Sequence, residues 1–250
     1  MVHTLRVLDT SLQFYFAIAN DLLGTKDTIE HIDSPQYRYA RIGLPATIAG
    51  ISKIFGQDWV SPKFFFICYF ALVSLATITL ALVLKSLNIN PIWSVLWGAS
   101  VGTQITLFNA LPDAASDCFF IFALAFLFSK RYFLSIFPMT LAALSRETYV
   151  LLPLMIVIVH GVFPNKFSNP VNRTNTNLIT MQQSDRVKVV LCMLIPLLIV
   201  GGWRALIVSK FNDQSALSFS QNAGVISWPL VSWAKHFFGS LANEHPSLGR

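Results

Sequence analysis

Phe64-Phe-Phe-Ile-Cys-Tyr-Phe-Ala-Leu-Val-Ser-Leu-Ala-Thr-Ile-Thr-Leu-Ala-Leu-Val-Leu84 carries no charged side chain, and Lys85 closes it. At about 1.5 Å per residue a helix of this length reaches across a hydrocarbon layer of about 30 Å. The stretch predicts a transmembrane helix, because lipid offers no partner to backbone N–H and C=O groups and a helix satisfies them within its own segment. Composition extends the reading to the whole chain. Of 250 residues 54% are hydrophobic and only 12% charged, with a mean hydropathy of +0.58, too little polar material to cover a soluble globule. The predicted fold class is therefore all-α: a polytopic transmembrane helical bundle of about six spans plus interfacial helices. The alternating ten-residue segments of a β-barrel are not visible.

Downstream, Pro91 opens a second predicted span, Ile92 to Leu111, with Trp93 and Trp97 as interfacial aromatics. Gly98, Gly102 and Gln104 give it a small and polar stripe suited to close helix packing. Next, Leu111-Pro-Asp113-Ala-Ala-Ser-Asp117 leads into an apolar run from Cys118 to Phe128. Asp113 and Asp117 are four apart, so a helix that has begun by Asp113 puts both on one face. Acids at such a position ordinarily cap the helix and complement its dipole. The apolar stretch Tyr132 to Val162 is broken by Ser145-Arg146-Glu147-Thr148, with Pro138 and Pro153 on either side. As one helix it would be about 46 Å long, more than the bilayer core needs. Two short helices meeting at Arg146-Glu147 fit better. These charges either form an ordinary charged turn or face a cavity, since leaving them in lipid costs roughly several kcal/mol. Val187 to Val208 is the last clear span, with Pro196 and Gly201-Gly202 as packing or kink positions.

Upstream, residues 1–38 hold Arg6, Lys26 and Arg38 against Asp9, Asp21, Asp27, Glu30 and Asp33. A segment poor in Lys and Arg is expected outside, so residues 1–39 are read as an outer-face loop. Within it Gln13 to Ala19 is aromatic, apolar and too short to span. Residues 40–55, interrupted by Arg41, Pro45 and Lys53, suit a surface-lying or re-entrant helix. The bundle proper covers 40–209. Its hydrophilic loop, 164–188, carries Lys166, Arg173, Arg186 and Lys188 against Asp185 and is expected in the cytoplasm. There the glycosylation-like Asn172-Arg-Thr174 reads as chance. Residues 210–250 form an outer-face tail that ends without closing a further span, so a truncated C-terminal part is expected.

The net charge of +6, from 18 Lys and Arg against 12 Asp and Glu, sits at the ends of apolar runs. It reports topology and excludes a nucleic-acid footprint. Cys68, Cys118 and Cys192 lack metal-ligand spacing and read as small core hydrophobes. No internal repeat is apparent, which argues against a transporter built from inverted halves.

The polar leader meets the first apolar segment at His31-Ile-Asp33-Ser-Pro-Gln-Tyr37-Arg38-Tyr-Ala-Arg41-Ile-Gly-Leu-Pro45. In chain order, Gln13-Phe-Tyr-Phe-Ala-Ile-Ala19, the Tyr37-Arg-Tyr-Ala-Arg-Ile-Gly-Leu-Pro45 part of this stretch, Leu-Pro-Asp113 and Leu-Ser-Arg146-Glu147-Thr resemble the membrane-embedded GT-C type glycosyltransferases, in the bacterial branch linked to cell-surface glycopolymers. The resemblance runs from Leu12 to about Trp203. It implies transfer of a sugar from a polyprenyl-phosphate donor to a glycan or lipid acceptor on the periplasmic face, by a protein set among the lipids of the inner membrane. An acid in the first outer loop would serve as general base, and arginines would neutralise the departing lipid phosphate.

Carried onto this chain, the base falls to Asp9 or, failing that, Asp33. Tyr37, Arg38, Arg41, Asp113, Asp117, Arg146 and Glu147 form the substrate-binding set, with Arg38, Arg41 and Arg146 on phosphate and Tyr37 and Tyr39 at the lipid interface. The family pattern departs at Ser11-Leu12, where relatives carry Asp-Gly, and its first helix is missing here. Outer-loop carboxylates could hold a divalent metal, although no ligand cluster demands one. The other class of function compatible with these residues is a non-catalytic scaffold or lipid-carrier transporter in polysaccharide assembly. It would keep the arginines and need no base.

Overall fold

The computed structural model describes residues 10–25, 32, 35–162 and 183–211. By internal contacts the chain divides into Met1–Ile207 and Val208–Arg250, and of the second unit only the turns up to Phe211 are described. Among the described residues all regular structure is helical: α1 (Thr10–Asn20), α2 (Pro35–Ala40), α3 (Gly43–Ile54), α4 (Pro62–Ser86), α5 (Ile92–Gly98), α6 (Val101–Phe108), α7 (Pro112–Phe128), α8 (Tyr132–Ser145), a 3-10 turn (Glu147–Val150), α9 (Leu151–Val162) and α10 (Gln183–Phe211). Asp9, Asp33, the Asn172–Thr174 pattern and the tail from 212 lie outside the described residues.

The stretch that decides the fold forms one 25-residue helix, α4. Ser61 caps it, accepting a hydrogen bond from the Phe64 N–H at 3.2 Å, and Pro62 takes the first position, where a missing N–H costs nothing. Phe65, Tyr69, Val73 and Ala76 are buried along one stripe at helical spacing. The remaining faces are apolar and open, with Ile67 66% and Leu82 64% exposed. A helix apolar all round but buried on one stripe belongs in lipid. Among the described residues, α4 and the Val187–Phe211 part of α10 are the two helices long and apolar enough to cross a membrane, or three spans are reached if α6 and α7, bent by 118° at their junction, count as one broken span. The protein is thus all-helical and suited to a membrane.

The predicted span Ile92–Leu111 is not one helix. It breaks at Ala99-Ser100 into α5 and α6, because Ser100 turns extended and caps a new helix through the Thr103 N–H at 3.3 Å. The carbonyls freed at the break are not left bare: Thr103 Oγ1 donates to the Trp97 carbonyl at 3.0 Å and Gln104 Nε2 to the Gly98 carbonyl at 2.7 Å. Gln104 therefore serves the break rather than a neighbouring helix. The close-packing stripe holds at Gly98, where an added Cβ would lie 2.6 Å from Thr77 Oγ1 of α4, and fails at Gly102, which has nothing within 4 Å. Together α5 and α6 run back along α4, placing Phe108 beside Phe66 at 6.2 Å and the Leu111 carbonyl on the Tyr69 hydroxyl at 2.5 Å.

α7 and α8 form the central packed pair, with α4 and α3 against them. Tyr132, Met139, Ala123, Val189, Cys192 and Met193 make one buried cluster that joins α7 and α8 to α10. Cys118 and Cys192 are buried free thiols, in keeping with their reading as core residues. The stretch 132–162 divides as expected, into α8 and α9 joined at Arg146-Glu147. α10 begins at Gln183, so residues 183–188, expected in the hydrophilic loop, are helical. Residues 43–54 form the expected short helix, α3, whose Gly43, Leu44, Pro45, Ile48, Ala49 and Ser52 are buried.

Candidate functional site

Helix ends from distant parts of the chain meet in one place. The break after α8 sets Arg146 in extended backbone before the 3-10 turn, so Arg146 and Glu147 point to different neighbours. Glu147 receives a two-pronged hydrogen bond from Arg41, Nε to Oε2 and Nη2 to Oε1, each 3.1 Å. Arg204 of α10 approaches the same carboxylate, Nη2 to Oε2 3.9 Å. Arg146 reaches the start of α7, with Nη1 3.0 Å from Asp113 Oδ1. One turn further along α7, Asp117 Oδ1 accepts a hydrogen bond from the Tyr149 hydroxyl. Asp113 lies in the first turn of α7, where an acid complements the helix dipole as expected, but neither aspartate caps the helix, since Leu111 holds the cap position and no side-chain cap bond forms.

The leader supplies the other wall. The Arg41 guanidinium lies 4.3 Å from the Tyr37 ring centroid, and that of Arg38 lies 4.8 Å from Phe14, 5.7 Å from Tyr15 and 5.8 Å from Tyr37. These are cation–π distances. Tyr39 does not sit at a lipid interface as expected. It is fully buried, its hydroxyl donates to the Asp21 carbonyl at 3.0 Å, and its own carbonyl accepts from Trp203 Nε1 at 3.0 Å. Tyr37, by contrast, is about half exposed.

Charge states follow from these contacts. Burial works against ionisation of Glu147, but the Arg41 hydrogen bonds and the charges of Arg41 and Arg204 outweigh it and hold the carboxyl below its ordinary range. Burial likewise opposes the charge on Arg41, and Glu147 more than offsets it, so the guanidinium is held charged more firmly than usual. Burial pushes the Tyr15 hydroxyl up, with Arg38 pulling the other way.

Beside the cluster lies an open, surface-facing cavity of about 490 Å³ lined by Phe120, Leu152 and the exposed Leu151 and Met155, with Arg146, Thr148 and Tyr149 as its polar side. Among the described residues no group of three or more metal-ligating side chains comes together. Of the residues singled out in the sequence, Tyr37, Arg41 and Glu147 join in one chain of contacts, and Asp113, Asp117 and Arg146 flank the next. Arg38 packs on the same Tyr37, while Asp9 and Asp33 lie outside the described residues.

Sequence reasoning missed Tyr149, Trp203 and Arg204. A cation inside the apolar run of α10 was a readable signal for Arg204; nothing in the spacing marked Tyr149. Comparison with family models, curated proteins and solved structures gives no match.

Proposed function

We propose that the chain is a membrane glycosyltransferase of the GT-C type that moves a sugar from a polyprenyl-phosphate donor to a cell-envelope glycopolymer or lipid acceptor. The observation that carries the reading is the pairing of an open, largely apolar cavity with Arg146 and a cluster of ionisable groups beside apolar helices. An amphiphile with an anionic head needs that combination: walls for its chain, and a cation with hydrogen-bond donors for its phosphate. Ionisable groups inside an apolar bundle are expensive unless they serve such a purpose.

In this reading the chain crosses about six times, using α4, α5 with α6, α7, α8, α9 and α10. The cluster then lies on the periplasmic face of a bacterial inner membrane. Helices shorter than the bilayer core hold the charged turn near headgroup depth, where a lipid phosphate resides. Arg146, 44% exposed even when paired with Asp113, is the cation open to a ligand. Arg41, 17% exposed and gripped by Glu147, holds the leader to the site.

The second reading, a non-catalytic scaffold or lipid-carrier transporter, draws on one observation. Arg41, Arg146 and Arg204 all lie against protein carboxylates, as charges do in a purely structural network. Membranes carrying the full chain, supplied with undecaprenyl-phosphate-linked glucose, galactose, mannose and arabinose in labelled form, separate the two. Transfer of label into a glycan or lipid fraction above that of control membranes supports the enzyme. Absence of transfer with every donor, alongside accelerated flipping of undecaprenyl phosphate in proteoliposomes, establishes the transporter instead.

A further inference from the structure

Three carboxylates of the cluster are described, and they are not equivalent. Glu147 is held by both prongs of Arg41, and Asp113 pairs with Arg146. A carboxylate engaged by a guanidinium already has a charged donor on its oxygens. Asp117 instead takes its hydrogen bond from a neutral donor, the Tyr149 hydroxyl. Tyr149 also lines the cavity, its ring 5.2 Å from that of Phe120, on the turn that begins at Arg146 and whose Tyr149 N–H bonds the Arg146 carbonyl at 3.1 Å. A phenol that donates to a carboxylate keeps its oxygen lone pairs for a further donor.

Building on the glycosyl-transfer reading above, we propose that Tyr149 and Asp117 are the proton-withdrawing pair of the site, Tyr149 meeting the acceptor hydroxyl in the cavity and Asp117 receiving the proton behind it. As the acceptor oxygen bonds to the sugar's anomeric carbon, its proton passes to the Tyr149 oxygen and the Tyr149 proton passes to Asp117 Oδ1. The bond from the anomeric carbon to the donor phosphate breaks, and its electron pair stays on the lipid phosphate, beside Arg146. The negative charge lost by Asp117 reappears on that phosphate, so atoms and charge balance. Tyr149 is the catalytic residue of the pair. Asp117 acts through it.

The test uses the full chain in lipid nanodiscs, with the donor panel above and binding of undecaprenyl phosphate read by tryptophan fluorescence. Tyr149→Phe and Asp117→Asn are expected to lower kcat about 100-fold with donor KM and undecaprenyl phosphate binding within twofold of wild type. Asp117→Glu is expected to recover at least about a tenth of the wild-type kcat, which a merely structural role would not produce. If wild type transfers sugar and Tyr149→Phe keeps its kcat, or loses only donor affinity, the pair is overturned while glycosyl transfer stands. If wild type transfers nothing from any donor, the transfer reading falls and the pair falls with it.

Discussion

Glu147 faces two arginines, one from the leader and one from the last helix, and its carboxylate ties residues 106 positions apart. The Arg41 fork is only 17% exposed, so the pair is shielded better than a surface ion pair. Removing one partner leaves the other half-buried and unsatisfied. Glu147→Gln is expected to lower stability in detergent by about 2 kcal/mol, with a matching loss for Arg41→Gln and little further loss in the double variant. Thermal melts of all four proteins read the coupling directly.

The pH dependence has a definite sign. Because the folded-state pKa of Glu147 lies below its ordinary value of 4.5, its contribution is fully present above about pH 4.5 and fades as pH falls through the folded value. Melting temperature should therefore decline on acidification below that point more steeply in wild type than in Glu147→Gln. Equal slopes would remove Glu147 from the acid response.

At the scale of elements, the geometry of the site depends on how tightly α3 lies on α8. A Cβ added at Gly43 would come 2.5 Å from the Leu141 carbonyl and 2.8 Å from the Ser145 N–H, both backbone atoms with no easy retreat. That contact sets the distance between Arg41, two residues before Gly43, and the Arg146-Glu147 turn, which directly follows Ser145. Gly43→Ala is expected to destabilise by about 1–3 kcal/mol through overpacking. Gly50, on the same helix with nothing within 4 Å, should respond in the opposite sense. Gly50→Ala is expected to stabilise by roughly 0.5–1 kcal/mol, because alanine suits a helix interior better than glycine. Detergent melts that rank the two variants in the same direction would refute the packing account. The α5–α6 break belongs to this scale too: Ser100, Thr103 and Gln104 satisfy its backbone locally, so a bend survives within an apolar segment.

Over the whole molecule, hydrogen bonds and ion pairs gather one set of helix ends together: Asn20 with Val60, Arg41 with Glu147, and Arg146 with Asp113. The opposite ends of α4 and α7, at Asn88 and Lys130, carry left-handed turns. If α4 spans a membrane, these two sets are expected to face opposite aqueous phases, because α4 is long enough to separate them. Single cysteines introduced as Asp58→Cys and Thr148→Cys, in a background lacking the native thiols, should react with an impermeant thiol reagent from one side. Asn88→Cys and Lys130→Cys should react from the other. Labelling of Thr148→Cys and Lys130→Cys from the same side would refute this arrangement.

Helical class, the existence of α4 and α10 as helices long and apolar enough to span a membrane, and the division of 132–162 at Arg146-Glu147 were determined by the sequence alone. Hydrophobic length and the cost of a charge in lipid act locally, and a single run of residues expresses them in full. The residue types of the polar cluster were equally legible, since arginine, glutamate and aspartate stand out against apolar surroundings. Their pairing was not. Arg41 and Glu147, or Tyr39 and Trp203, meet only because α3 packs on α8 and α10 returns beside the leader, and no local pattern encodes a partner more than a hundred residues away. Tertiary structure also decided that Ser100 starts a new helix within an apolar run. It decided that Asp113 pairs with an arginine rather than capping its helix, and that Tyr149 turns its hydroxyl onto Asp117. Each is a contest between local propensity and a distant contact, and in each the contact that satisfies a half-buried polar group prevails.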